Sequence, residues 1–329
     1  MIKVIYAASW LAERRFCSFS HRLYAGNARW NEPDVWQGRK VLSPKHNELM
    51  RLPHILLMAV EDGKILARML TGIAAGDQGY FALFDAEPNG EAVRVLMEAA
   101  EAWQRARGSR RLVGPIAPTM ADIGGGVLHD GFEEPAAFCD AYHAEYYAGL
   151  LEQCGFEPCS EWLAYRIELS SFDRTRYRRA ADWAKRRFGY EVEQGLSRGP
   201  RALAQTVCSV MEGEVAQEDA NRLVGRIFPS LSPDFCPVAV RENHPVGFLL
   251  TLEKRGIRPR IVSLWVRKEW RGKGVTAALF DDLAQAAERR GIMSMDGSMI
   301  HSDNIASRLG AERAGGSVIH RYYQYWKWV

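Results

Sequence analysis

Paired cysteines are missing from this sequence. The six present, Cys17, Cys139, Cys154, Cys159, Cys208 and Cys236, form no C-x-x-C pair and no zinc-ligand spacing with histidine. That removes a metal site and a disulfide framework, and leaves the reduced thiols of a cytoplasmic protein as the expectation. Long apolar runs are missing too. No stretch reaches the roughly 18 residues of a membrane span, and Glu13, Arg14 and Arg15 interrupt the N-terminus before any signal-peptide core could form. Charge of one sign is scarce: 43 Lys and Arg stand against 40 Asp and Glu, a net +3. Such balance argues against a general binder of nucleic acid or anionic membrane, so any basic function must be local. Two phosphate-loop signatures are also incomplete. "GKGVTA" at 272–277 has Ala277 where a dinucleotide fingerprint needs a third glycine, and no Walker loop occurs.

What is present is ordinary globular composition, 47% apolar and 25% charged, over 329 residues. That length exceeds one hydrophobic core, so two domains are expected. Each half reads as strand, helices, hairpin, strand, helix, strand, helix, strand. In the first half, "PHILLMAVEDGKILARMLTGIAA" holds two apolar runs split by Asp62-Gly63, a hairpin signal. "GEAVRVLMEAAEAWQRARG" has helical spacing and a closing glycine. In the second half, a turn is expected at Asn243-His244-Pro245, followed by "VGFLLTLEK" and "RIVSLWV" as strands. The predicted fold is α+β, two tandem copies of a mostly antiparallel sheet flanked by helices, divided as 1–171 and 172–329. The second copy opens on a basic junction, "RTRYRRAADWAKRR".

The stretch "LWVRKEWRGKGVTAALFDDLAQAAERRG" carries the sharpest signal. Here a strand enters a helix through two glycines and flanking basic residues. The first N–H groups of a helix lack intrahelical partners and carry the positive end of its dipole, so a phosphate fits there. Gly272 and Gly274 permit close backbone approach, and Arg271 and Lys273 add charge. An ordinary turn carrying lysine and arginine is the competing reading.

This stretch, with "DNIASRLGAERAG" downstream, resembles the acyl-CoA motif of the GNAT superfamily of acyl-CoA N-acyltransferases, [RQ]-x-x-G-x-[GA]. Arg271 and Gly274 match, and Thr276 replaces the final small residue. The whole chain is similar to a tandem GNAT family of bacterial proteins, with "RRLVGPIAPTMADIGGGVLHDGF" and "YHAEYYAGLLEQCGFE" as the signature of the first half. At the loop position that half has "FDAEPNGEAVRVL", whose acids would repel a phosphate, so it reads as a degenerate copy.

The resemblance implies a bound acetyl-CoA or longer acyl-CoA, its pantetheine arm between splayed strands and its pyrophosphate on backbone amides. Leu264, Trp265 and Val266, then Arg271, Gly272, Lys273, Gly274, Val275 and Thr276, are the implied contacts. Asn304 matches the family's downstream asparagine, and an N-cap role competes. The implied reaction is direct attack of a small-molecule or peptide amine on the thioester. The tyrosine expected in the helix after Asn304 is absent. Tyr323 and Tyr325, on one face of the terminal strand, and Tyr322 on the other, are therefore candidate acids. Asp296, Glu214, Glu212 and His301 are candidate proton acceptors or shuttles. In the first half, Asp122 or Asp130, with Tyr142, His143, Tyr146 and Tyr147, could read an amine.

Two other functions compete. Peptidoglycan-bridge aminoacyltransferases also pair two GNAT-like domains, and the basic junction suits the one nucleic acid considered, a charged tRNA. A non-catalytic acyl-CoA sensor would explain the missing tyrosine. Gly274→Trp is expected to block the pyrophosphate while leaving the fold largely intact. The oligomeric state is not encoded in these patterns.

Overall fold

The computed structural model describes residues 1–30, 38–45, 47–74, 78–117 and 125–329. They group into two compact units. The first contains Met1–Leu163 with Ile300–Asp303 and Ile319–Val329, and the second Ala164–Met299 with Asn304–Val318.

In the first unit, β1 (Lys3–Tyr6) leads to helices α1 (Trp10–Cys17) and α2 (Phe19–Leu23). Strands β2 (His54–Glu61), β3 (Lys64–Ile73) and β4 (Gln78–Ala86) then form an antiparallel meander, with β1 on the outer edge of β2. The expected Asp-Gly hairpin joins β2 to β3, with Asp62 at φ 49° and Gly63 at φ 79°. Two successive left-handed residues give the turn whose twist matches the strands. Alternate residues of β2 serve opposite faces: Leu57 and Ala59 pack with the helix α3 (Gly90–Arg105), whereas Leu56 and Met58 pack with Phe16 and Phe19. Through α3 the chain crosses to β5 (Arg111–Gly114), which lies parallel to β4. Beyond β6 (Val127–Asp130) and α4 (Tyr146–Gln153) begins β7 (Glu157–Glu168). The partner of β5 comes from the far end of the chain, where Tyr325 to Trp328 pair with Gly114 to Arg111.

The second unit repeats the plan. Helix α5 (Arg174–Phe188), β8 (Glu191–Gln194), α6 (Gly199–Met211) and α7 (Gln217–Ile227) precede the meander β9 (Pro237–Arg241), β10 (His244–Lys254) and β11 (Ile257–Val266). Helix α8 (Val275–Arg289) then crosses to β12 (Ser294–His301), parallel to β11. Helix α9 (Ile305–Arg313) and β13 (Gly316–Trp328) end the chain. The turn from β9 to β10 lies one residue earlier than expected. Glu242 and Asn243 adopt the left-handed conformation, and His244 and Pro245 are already in strand. Proline here starts a strand instead of breaking one.

On β12 the sheet of the second unit is completed by β7, whose residues from Ala164 belong to that unit. Its core joins Ile167 and Leu169 to Leu249, Ile261, Val275, Leu279 and Leu283, with Ala181 and Ala184 of α5 on α8. The spacing of Val275, Ala278, Leu279, Leu283 and Ala286 puts one buried stripe along α8. Both units are thus mixed α/β with mostly antiparallel sheets. The linear division at 171 and 172 differs from the observed grouping, because strand partners are chosen by position in the sheet and not by proximity in the chain.

Candidate functional site

At Val262 strand β11 carries one residue more than its partner: Leu250 pairs with Ser263 but Thr251 with Ile261. Such a bulge bends the strand and re-aims the residues beyond it. On the other side, the register to β12 pairs Arg260 with Asp296 and Ile261 with Gly297. Among the described residues, Leu264, Trp265 and Val266 have partners on β10 only, which leaves one backbone edge of β11 without a strand next to it.

After β11 the chain makes a short 3-10 turn, Lys268–Trp270, then the glycine loop and α8. Gly274 is the N-cap residue, at φ 72°, and no side chain caps the helix. The first helical bond is Ala278 N–H to the Gly274 carbonyl at 3.1 Å. The N–H groups of Val275, Thr276 and Ala277 find no acceptor among the described residues, as the start of a helix requires unless something caps it. Val275 is buried, whereas Thr276 and Ala277 are partly exposed.

Several contacts hold the loop in this shape. The phenol of buried Tyr190 lies 3.4 Å from the Lys273 carbonyl, to which it donates, and burial pushes its pKa up to about 12. Arg271 Nε donates to the Val266 carbonyl at 3.3 Å. The Lys273 ammonium lies 4.8 Å from the Trp270 ring centre and 5.8 Å from that of Phe188. At the end of β11, Arg267 grips Glu212 at 2.6 Å and Glu269 at 3.0 Å. A Cβ on Gly274 would stand 2.5 Å from the Ala184 Cβ, so only glycine lets α5 approach here. Gly274→Trp therefore cannot spare the fold, which corrects the expectation from sequence.

The corresponding helix of the first unit is closed. The Asn89 side chain accepts from Ala92 N–H at 2.9 Å at the start of α3, and Glu91 occupies the first turn. An anion would meet a filled cap and a carboxylate.

The remaining sequence candidates are scattered. Asp296 is 1% exposed and clamped by Arg166 at 3.1 Å and Arg258 at 3.4 Å, a counter-charge more than an accessible proton acceptor. Glu214 sits on the exposed turn after α6. Glu212, next to it, is held by Arg267 with its own backbone at φ 43°. Asn304 accepts from Ser307 N–H at 3.1 Å and caps α9. Tyr323 and Tyr325 belong to the first unit and share one face. Tyr323 donates to Glu161 at 3.1 Å and Tyr325 to Glu152 at 3.4 Å. Burial first, then Glu152, raises Tyr325 to about 12. Tyr322, on the other face, donates to the Ala141 carbonyl. His301 meets Ser160 at 3.0 Å and the Trp162 ring in the first unit.

Of the acceptor candidates, Asp122 lies outside the described residues. Tyr147 is fully buried, 2.7 Å from the Tyr24 hydroxyl and accepting from Ala86 N–H. Tyr146 donates to the Ala86 carbonyl, and Tyr142 packs edge-on against Tyr24. His143 is buried and Asp130 faces Arg321 at 3.7 Å. Tyr147 and His143 thus serve the core of the first unit. Among the described residues no cluster of three or more His, Cys, Asp or Glu could hold a metal.

Residues 208–313, from α6 to α9, match the model of the acetyltransferase (GNAT) family. Over these residues, about a third of the chain, the sequence is similar to the GNAT family. In fold the chain aligns along its whole length with a tandem GNAT protein from the clavulanic acid biosynthesis pathway, at TM-score 0.64 and 12% identity, covering 98% of that chain. Protein YghO of Escherichia coli is 25% identical over 162 residues, 47% of this chain and 41% of YghO. The bacterial ceramide synthase of Caulobacter vibrioides is 27% identical over 167 residues, 47% of this chain and 42% of that protein. The similarity thus spans less than half the length of these relatives. No helix among the described residues is long and apolar enough to cross a membrane.

Proposed function

We propose that the chain is an acyl-CoA-dependent N-acyltransferase with one donor site, on the loop 271–277 and the strand edge 264–266. The open start of α8 carries this reading. Three N–H groups point out of a helix that no side chain caps, behind a loop rich in basic residues. Val275, Thr276 and Ala277 would receive the diphosphate, Lys273 and Arg271 would add charge, and the free edge at Leu264 to Val266 would pair with the amides of the pantetheine arm. The thioester supplies an activated acyl carbon: its bond to the amine nitrogen forms, the bond to sulfur breaks, and the amine proton leaves with the thiol. Asn89 and Glu91 bar the same use of α3, which fits a first unit without a donor of its own.

Thermal-shift and calorimetric titrations with acetyl-CoA and longer acyl-CoA esters test the reading, because a ligand of the native state raises its stability by mass action. Thr276→Glu is the matching variant. A carboxylate in the first turn favours the helix dipole but repels a diphosphate. Binding should fall tenfold or more with the melting temperature unchanged or raised; unchanged binding would refute the site. Acyl transfer is then followed as thiol release over an amine panel, in which the ceramide synthase relative justifies long-chain amines beside small and peptide amines. A cytoplasmic location is part of this reading.

A further inference from the structure

The basic junction forms α5, and its charge is arranged. Arg174 pairs with Glu288 and Arg178 reaches Asp281, both on α8. Arg176, Arg179, Arg186 and Arg187 are exposed and make no ion pair among the described residues. At 100° per residue these four and Trp183 fall within a stripe about 100° wide and about 16 Å long, opposite the face that Ala181 and Ala184 bury. Trp183 is 56% exposed in the middle of it. At its end the stripe runs into the donor loop: Arg187 stands 5.5 Å and Lys273 5.8 Å from the Phe188 ring centre.

The diphosphate of CoA does not need this stripe. The loop amides would satisfy it, and the arginines lie on the outer face of α5. They are placed to meet a donor that extends beyond its own phosphopantetheine arm. We infer that the donor site also accepts an acyl group from an acidic carrier protein, whose arm enters at residues 271–277 while its acidic surface docks on α5. This rests on the proposed transfer reaction. The balance is the same: the carbon–nitrogen bond forms, the carbon–sulfur bond of the carrier's phosphopantetheine breaks, and the freed thiol keeps the amine proton. An exposed tryptophan among arginines is the composition of an interface anchor. The apolar face of α5 is already used against α8, so no broad apolar surface remains for insertion into lipid.

Binding is compared for octanoyl-loaded acyl carrier protein and octanoyl-CoA, on the full chain and on R176E/R179E/R186E, which leaves Arg187 beside the donor loop in place. The carrier protein should lose at least tenfold in affinity with the variant and fall steeply with salt, while octanoyl-CoA changes less than twofold. Near-UV circular dichroism and the melting temperature establish that the variant is folded, and single reversals R179E and R186E should give intermediate losses. If octanoyl-CoA binds but the carrier protein does not, or if the carrier binds equally well to both proteins, the inference fails and the donor site stands. If neither binds, the transferase reading fails with it. Retention of tRNA that depends on these arginines, without carrier binding, makes α5 a nucleic-acid surface and overturns the inference.

Discussion

Gly274 and Ala184 touch where a side chain cannot be. The Cβ that alanine would add at position 274 falls 2.5 Å from the Ala184 Cβ, so the start of α8 and the side of α5 are mutually fitted. The same glycine, at φ 72°, sets the direction of the helix entry. A loop taken as a ligand cradle is therefore also a packing joint.

Gly274→Ala should cost about 2–4 kcal/mol, from about 1 kcal/mol of left-handed strain and the rest from overpacking. Ala184→Gly in the same chain should return the overpacking part but not the strain. Urea denaturation of the two single variants and the double variant measures that coupling, and additive losses would deny the contact.

Asn89→Ala should destabilise the first unit by about 1 kcal/mol through loss of the cap on α3. Titration with acyl-CoA should be unaffected, since no donor is assigned to that helix.

Burial lowers His143 to about 4, with Asp85 opposing weakly. The Leu128 N–H donates to its Nδ1, so the folded ring accepts there and is neutral. The unfolded chain, with a histidine near 6.5, binds the extra proton first. The stability contribution is therefore complete above about pH 6.5 and lost as pH falls toward 4, about 3 kcal/mol in all. Unfolding followed from pH 7 to 4 should be less steeply pH-dependent in His143→Asn than in the parent.

A fragment of residues 172–329 should not give a cooperative melt. It lacks Ile167 and Leu169, which are core residues of the second unit, and strands 319–328 would have lost β5. A fragment that melts cooperatively and binds acyl-CoA would contradict this arrangement.

Local chemistry was legible in the sequence. Asp62-Gly63 announced its hairpin because the turn needs those two residues and little else, and Gly272 to Thr276 announced a strand-to-helix entry. Pro245 misled, since a proline at a strand start reads like one in a turn. The partners of the site were not legible. Asp296 is clamped by Arg166 and Arg258 from distant strands, and Tyr190 and Ala184 support the loop from about 80 to 90 residues away. No spacing rule connects them, because they meet only after the sheet has formed. Asn304 showed both sides of this limit: its cap was visible as an alternative, and geometry filled it.

The exchange of closing strands has a consequence for biosynthesis. The first unit keeps an open edge at β5 until residues 319–328 have left the ribosome, so its sheet cannot be sealed while the rest of the chain is being translated. Nascent chains stalled before residue 319 should then be the form most in need of a chaperone.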